Sequence, residues 1–324
     1  MADYKTIHGF KVRDYTTDPD NLIVGQVWYD KTNKVLQFQS EGAGAWVTGN
    51  AVNAARQLPF GAGSQTAGLM AGGNPGSTAA NELYNGTSWT EVANLNTGRH
   101  AGAASGITNT AVLAFGGYST AYVAITESWN GTSWSEVADM NTARTTFGGA
   151  GTNTSALGFG GNASGSATDI TESWNGTSWT ETADLNLARW EIYGQGASNT
   201  AALGTGGQSP GGTYANNENW NGTSWTEVAD VNTAKTKGGA AGQSNTSVLV
   251  FGGNPAPSQL AKTEEWNGTG WTEIADLSTG RRELGGAGIV TAAVGFSGET
   301  PSALTTATEE FTAPTTTTVT FTVS

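Results

Sequence analysis

The sequence predicts an all-β fold made of repeated four-stranded antiparallel sheets, on three observations. A tryptophan that follows Asn-Gly-Thr returns as Trp89, Trp134, Trp179, Trp225 and Trp271, at steps of 45, 45, 46 and 46 residues. A glycine pair ends an apolar run at Gly72-Gly73, Gly116-Gly117, Gly160-Gly161, Gly206-Gly207 and Gly252-Gly253, with a weaker copy at Ser297-Gly298. No long apolar pattern of helical period occurs, and the 324 residues include 47 glycines and 12 tryptophans with only 13% charged residues, a composition for β-structure with many turns. A period of this length means stacked supersecondary units.

The second copy shows how each strand is justified. Gly102 to Gly106 is a run of small residues, a turn follows, and Ala111 to Phe115 is an apolar run ended by the glycine pair. After a variable loop come Ile125 to Trp129, the dipeptide Asn130-Gly131, and Trp134 to Ala138. Asn-Gly between two extended segments is the strongest short hairpin signal, because both residues accept the positive φ of a tight turn. First strands are built from small residues, as in AGAASG and FGGAG, while the two aromatic positions fall on the third and fourth strands. That taper fits sheets converging on an axis with their outer strands at the rim, where large rings wedge between neighbours.

The expected architecture is therefore a six-bladed propeller, with blades at about 54–95, 99–140, 144–185, 189–231, 235–277 and 281–324. The last blade is degenerate. Its tail alternates Val319, Phe321 and Val323 with threonines, which reads as a strand and is expected to close the structure. A seventh blade, from the N-terminal residues plus this tail, is the alternative count.

Phe115-Gly116-Gly117, then Trp129, then Trp134, kept in register through the copies, resembles the kelch family of β-propellers over roughly Asn53 to Ser324. The chain departs from that family in carrying tryptophan where kelch repeats commonly have tyrosine; Tyr84 alone keeps it. The NGTSW hairpin is also similar to the Asp-box turns of sialidase-like propellers, whose glycine spacing does not fit.

Residues 1–50 stand outside the repeat and read as a three-stranded β-module, with the propeller at 51–324. The wording GQVWYDKTNKVLQF, followed by GAW, resembles a short module near the start of many phage tail-fibre and other virion appendage proteins. Trp46 and Arg56 repeat the ten-residue spacing of Trp134 and Arg144, so the module runs directly into the first blade. The resemblance implies a phage virion structural protein, made in the host cytoplasm, that attaches to other virion proteins through this module.

Composition excludes several classes. There is no cysteine, so disulfides and thiolate metal sites are absent. A net charge of −13 argues against nucleic-acid partners, and no apolar run approaches membrane-spanning length. His8 and His100 stand in unrelated contexts and no nucleophile, zinc or phosphate motif occurs, so no catalytic residue, metal or cofactor is expected. Carboxylates are plentiful, and a sialidase-like glycoside hydrolase is the alternative of another class. The five Asn-x-Thr sequons at Asn85, Asn130, Asn175, Asn221 and Asn267 coincide with turns that need Asn-Gly.

One basic residue per repeat recurs as Arg56, Arg99, Arg144, Arg189, Lys235 and Arg281. These either bind an anion at a channel mouth or pair between blades with Glu91, Glu136, Glu181, Glu227 and Glu273, or with Asp139, Asp184, Asp230 and Asp276; a feature copied into every blade favours pairing.

Connections between strands two and three differ in every blade, whereas the others are nearly uniform. The residues after each basic position vary too, as in Trp190, Glu191 and Tyr193, Thr236 and Lys237, or Arg282 and Glu283. A scaffold that varies the loops of one face presents a recognition surface, expected to take a host-surface glycan or protein, or another virion protein. Tyr118, Tyr122, Trp190, Tyr193 and Tyr214 are the aromatics that the repeat does not demand, and they are the expected ligand or partner residues. Trp190 and Tyr193 have a second reading, as first-strand residues that fill the channel. A head fibre decorating the capsid is the nearest alternative assignment, and a homo-oligomer is compatible with either.

Overall fold

The computed structural model describes residues 12–20, 22–42, 44–254 and 259–321. Within these the protein is all-β, and it divides into two compact units: Met1–Gly44 with Ala313–Ser324, and Ala45–Thr312. His8 and Val323 lie outside the described residues.

The large unit contains six four-stranded antiparallel sheets among the described residues. The second sheet shows the pattern, with strands Ala103–Thr108, Ala111–Phe115, Thr126–Trp129 and Trp134–Glu136 in spatial order. The other first strands are Phe60–Ser64, Gly148–Thr152, Tyr193–Ser198, Gly239–Ser244 and Gly285–Ile289. Each first strand packs against the first strand of the next sheet, and Gly285–Ile289 packs against Phe60–Ser64. Second strands are buried on both faces, which is why they read as continuous apolar runs.

The motifs that mark the repeat are the joints of this arrangement. Asn130 Oδ1 accepts the N–H groups of Thr132 and Ser133, both at 2.9 Å, and Gly131 takes φ 93°, so the sequon is occupied in building its own turn. Trp134 closes on Trp129 across that turn at 5.4 Å. Fourth-strand tryptophans reach the preceding sheet: Trp179 Nε1 donates to Thr126 Oγ1 and Trp225 Nε1 to Thr171 Oγ1. The glycine pair answers to the next sheet. Gly116 has φ 62°, and a Cβ there would lie 2.6 Å from ring carbons of Phe147; Gly117 donates its N–H to the Arg144 carbonyl at 2.9 Å. The same inter-sheet bond recurs down to Gly298, which donates to Arg56 O.

Two sequence expectations are corrected here. The strand that completes the sixth sheet is Ala45–Gly49, paired with Thr308–Thr312, and not the C-terminal tail. Trp46 performs there what Trp179 performs elsewhere, its Nε1 donating to Thr263 Oγ1 at 3.0 Å and its ring meeting Phe251 at 4.8 Å. The tail strand Thr316–Thr320 instead pairs with Val35–Glu41 in the small unit, whose sheet also holds Val27–Asp30 and Arg13–Tyr15. The division at residue 50 therefore moves to 44/45, with a second crossing at 312/313. Physically, the tail's threonine-rich strand lacks the tryptophan that wedges a sheet onto its neighbour, and Ala45–Gly49 has it.

Candidate recognition face

The six basic residues lie just before the first strands and are buried. Each pairs with the glutamate on the third strand of its own sheet: Arg56 with Glu82 at 2.8 Å, Arg99 with Glu127, Arg144 with Glu172 at 3.2 Å, Arg189 with Glu218, Lys235 with Glu264 at 2.9 Å and Arg281 with Glu309 at 3.0 Å. The pairing is thus within a sheet, and the acids are those of the Thr/Asn-Glu-x-aromatic third strands, not the more exposed ones that their regular spacing suggested. Burial pushes the Arg144 guanidinium down to about 10, against the pull of Glu172. The same glutamates hold the connecting segment: Glu172 Oε2 accepts the N–H of Asn141 at 2.6 Å and its Nδ2 at 2.8 Å. These arginines are fastenings, and they offer nothing to a ligand.

Two residues after each basic position the backbone turns left-handed. Leu58, Ala101, Thr146, Glu191, Lys237 and Glu283 have φ between 54° and 60°. Five backbone bonds tie them across the sheets, all but the step from Lys237 to Glu191: Ala101 N–H donates to Leu58 O at 2.9 Å, Thr146 to Ala101 O at 2.6 Å, Glu191 to Thr146 O at 2.5 Å, Leu58 to Glu283 O at 2.8 Å, and Glu283 to Lys237 O. Left-handed non-glycine residues are costly unless surrounding structure over-determines them, and this belt of hydrogen bonds does so. The belt borders a cavity of about 120 Å³ lined also by Pro59, Phe147, Ile192 and Leu284.

At the belt the sixfold pattern breaks. Three positions are Leu58, Ala101 and Thr146, whereas the other three form a charged group in which Lys237 Nζ lies 3.3 Å from Glu191 and 2.9 Å from Glu283. Gln208 Nε2 donates to the second Glu191 oxygen at 2.6 Å. Burial raises the Glu191 pKa although Lys237 opposes it; burial works against the Lys237 ammonium, but the two glutamates outweigh this and raise its pKa.

The variable loops lie beside this belt. In each sheet the residue after the basic position bridges to the residue after the glycine pair, as in Gln57 with Asn74, His100 with Tyr118, Thr145 with Asn162, Trp190 with Gln208, Thr236 with Asn254 and Arg282 with Glu299. The expected aromatics divide accordingly. Tyr118 and Tyr122 are half-buried, pack edge to face at 5.7 Å, and Tyr118 also meets the ring of His100 at 5.6 Å. Ser77 Oγ, from the loop of the first sheet, lies 3.1 Å from His100 Nδ1. Trp190 and Tyr214 are half-buried on the fourth sheet, the Tyr214 hydroxyl 2.7 Å from Ser209 Oγ. Tyr193 is corrected: it is only 5% exposed, belongs to the core with Leu203 and Val250, and its hydroxyl sits against Gly238, where a side chain would collide with it. It fills the seam between two sheets as the opening residue of a first strand, in line with its second reading, and only its edge reaches the cavity beside the belt.

His100, Ser77 and the Glu191, Lys237 and Glu283 group are the residues of this face that the aromatic criterion missed. Among the described residues no group of three or more His, Asp or Glu is placed to hold a metal ion. No protein-family model and no curated protein matches the chain. The solved structure of YjhT is similar over 83% of this chain and 99% of its own, with a TM-score of 0.68 at 14% identity. It is one of 417 solved chains that match, so the likeness speaks for the β-propeller type of fold and for nothing narrower.

Proposed function

We propose that this chain is a non-enzymatic structural protein of a phage particle, a tail fibre or similar appendage, built on a closed six-bladed propeller of the kelch type. The face that carries the varied loops recognises a host-surface glycan or protein, or another virion protein, and the small unit provides attachment to the particle. The observation that carries the reading is the contrast between frame and face. Buried Arg–Glu pairs, wedged tryptophans and Asn-Gly turns repeat from sheet to sheet, while the belt residues vary among five residue types and the loops beside them differ in each. Rigid scaffolds that vary one set of loops are how binding surfaces are made. The virion assignment rests on the likeness of residues 20–47 to appendage modules.

One observation weighs against the hydrolase reading: the arginines that would gather on an anionic sugar are all buried in ion pairs. A head fibre on the capsid shares every feature above and is separated by location alone. Mass spectrometry and immunogold labelling of purified particles test the virion assignment and place it on tail or head; absence from the particle refutes it. Replacing Tyr118, Tyr122 and Tyr214 together by Ala should leave folding intact and weaken adsorption or assembly. Unchanged binding refutes the assigned face, and sugar release from host polysaccharide by the purified protein refutes the non-enzymatic reading.

A further inference from the structure

The small unit carries one sheet face made of apolar side chains, three of them exposed. Val27 pairs with Phe38 and Phe38 with Val319, so these three share a face in one row across three strands. Two residues along, Tyr29 pairs with Leu36, and Phe321 donates its N–H to Leu36 O, giving a second row on the same face. Val27, Val319 and Phe321 are 39%, 36% and 49% exposed, and Tyr29, Leu36 and Phe38 are half-buried. The opposite face is different in kind: Trp28, Asp30 and Gln39 are buried there. A sheet with an apolar face is stable when that face is buried against another layer.

The two rows are complementary to each other. One runs small, large, small (Val27, Phe38, Val319), and the other large, small, large (Tyr29, Leu36, Phe321). Take a two-fold axis lying midway between two such faces and running across the strands, between the rows. It sets Val27 over Tyr29, Phe38 over Leu36 and Val319 over Phe321 of a second copy, so that large meets small in every column. Interdigitation of this kind is what stacked sheets about 10 Å apart require. Charge points the same way. The chain carries −13 overall, yet on this face the strands bring one charged residue, Asp14 at the margin, which is paired with Lys31 at 3.1 Å. This face thus adds little charge repulsion between copies.

We infer that this face of the small unit is a two-fold contact between two copies of the chain, closing a sandwich of two four-stranded sheets. The contact is isologous, each copy using the same surface, and it holds whatever the recognition face binds. Sedimentation velocity of the full chain over a micromolar to submillimolar range tests it. The expected result is a concentration-dependent monomer–dimer equilibrium. Val319→Lys with Phe321→Lys should raise the dissociation constant at least about tenfold, since each would bring an unpaired charge into an apolar contact. Thr318→Lys with Thr320→Lys, on the other face of the same strand, should leave it unchanged, and circular dichroism checks that both variants fold. A monomer at every concentration, a trimer, a lysine pair at 319 and 321 that still dimerises, or equal loss from the 318 and 320 pair each overturns the proposal. So does a dimer that forms only once residues 2–11 are removed, which would assign the face to that segment.

Discussion

Arg144→Met is the most informative single change in the large unit. The guanidinium and the Glu172 carboxylate are both fully buried at 3.2 Å, so the variant strands a carboxylate in the interior. Breaking a buried pair from one side costs about 3–5 kcal/mol. The low end applies here, because Glu172 keeps the N–H and Nδ2 of Asn141 and the N–H of Thr142. Glu172→Gln should cost more, since the stranded Arg144 retains chiefly the Gly158 carbonyl at 2.9 Å and the connecting segment loses its anionic anchor. The double change Arg144→Met with Glu172→Met removes both charges and is limited by the orphaned Asn141 donors, at about 1–3 kcal/mol. Thermal unfolding followed by circular dichroism and by tryptophan fluorescence reads the order, with each kcal/mol worth about 2–4 °C in a unit of this size. The midpoint of Arg144→Met should fall by at least about 6 °C, and the double variant should recover part of the loss. A fall of less than about 2 °C, or a double variant worse than either single, refutes the claim that these pairs fasten strand to connection.

Trp46→Ala should destabilise the large unit about as much as Trp179→Ala, at roughly 3–5 kcal/mol in urea, because both are the fourth-strand wedge; an effect under about 1 kcal/mol would remove Ala45–Gly49 from that role. Deleting Thr315 to Ser324 should leave the fluorescence and unfolding midpoint of the large unit unchanged, and a lower midpoint would return the tail to the closing position. Tyr193→Ala should cost about 3–5 kcal/mol as a core truncation, unlike Ala at Tyr118 or Tyr122, which calorimetry distinguishes directly. His100 has its pKa lowered by burial, so the unfolded chain takes up the proton first and stability falls as pH drops below the ordinary histidine value near 6.5. The step should be shallow because the ring is half exposed, and His100→Gln should abolish it; an unchanged pH profile for that variant would refute the assignment.

Much of this was written in the repeat. Asn130-Gly131, the glycine pairs and the Trp129/Trp134 spacing each mark one joint, and a joint copied five times reads through any local ambiguity. What a period does not encode is which copy is completed by which end of the chain. Trp46, ten residues before Arg56, carried that signal, but the alternating tail competed with it, and alternation says only that a strand forms, not what it pairs with. Buried pairing was likewise legible as a rule and illegible in its partner: Glu127 and Glu136 lie opposite each other and so share one face of the sheet, and Glu127 pairs with Arg99 because it stands on the inner, buried strand of the two. Variation pointed to the candidate face, yet Glu191, Lys237 and Glu283 looked like three separate deviations. They become one group only when sheets remote in sequence are brought round a shared mouth.

The pairing of Ala45 with Thr312 means that the large unit begins and ends on adjacent strands of one sheet. In genetic terms it is a guest, spliced between two strands of a host module that are themselves neighbours, Val35–Glu41 and Thr316–Thr320. A guest whose ends meet can be exchanged without asking its host to change shape, and a host whose interrupted strands still pair can take another guest. A circular permutant that joins residue 312 to residue 45 by a short turn and opens at the exposed Asn175-Gly176 turn should fold as a unit of its own. The module and the repeat are then separable parts, each with its chain ends on neighbouring strands of its own sheet.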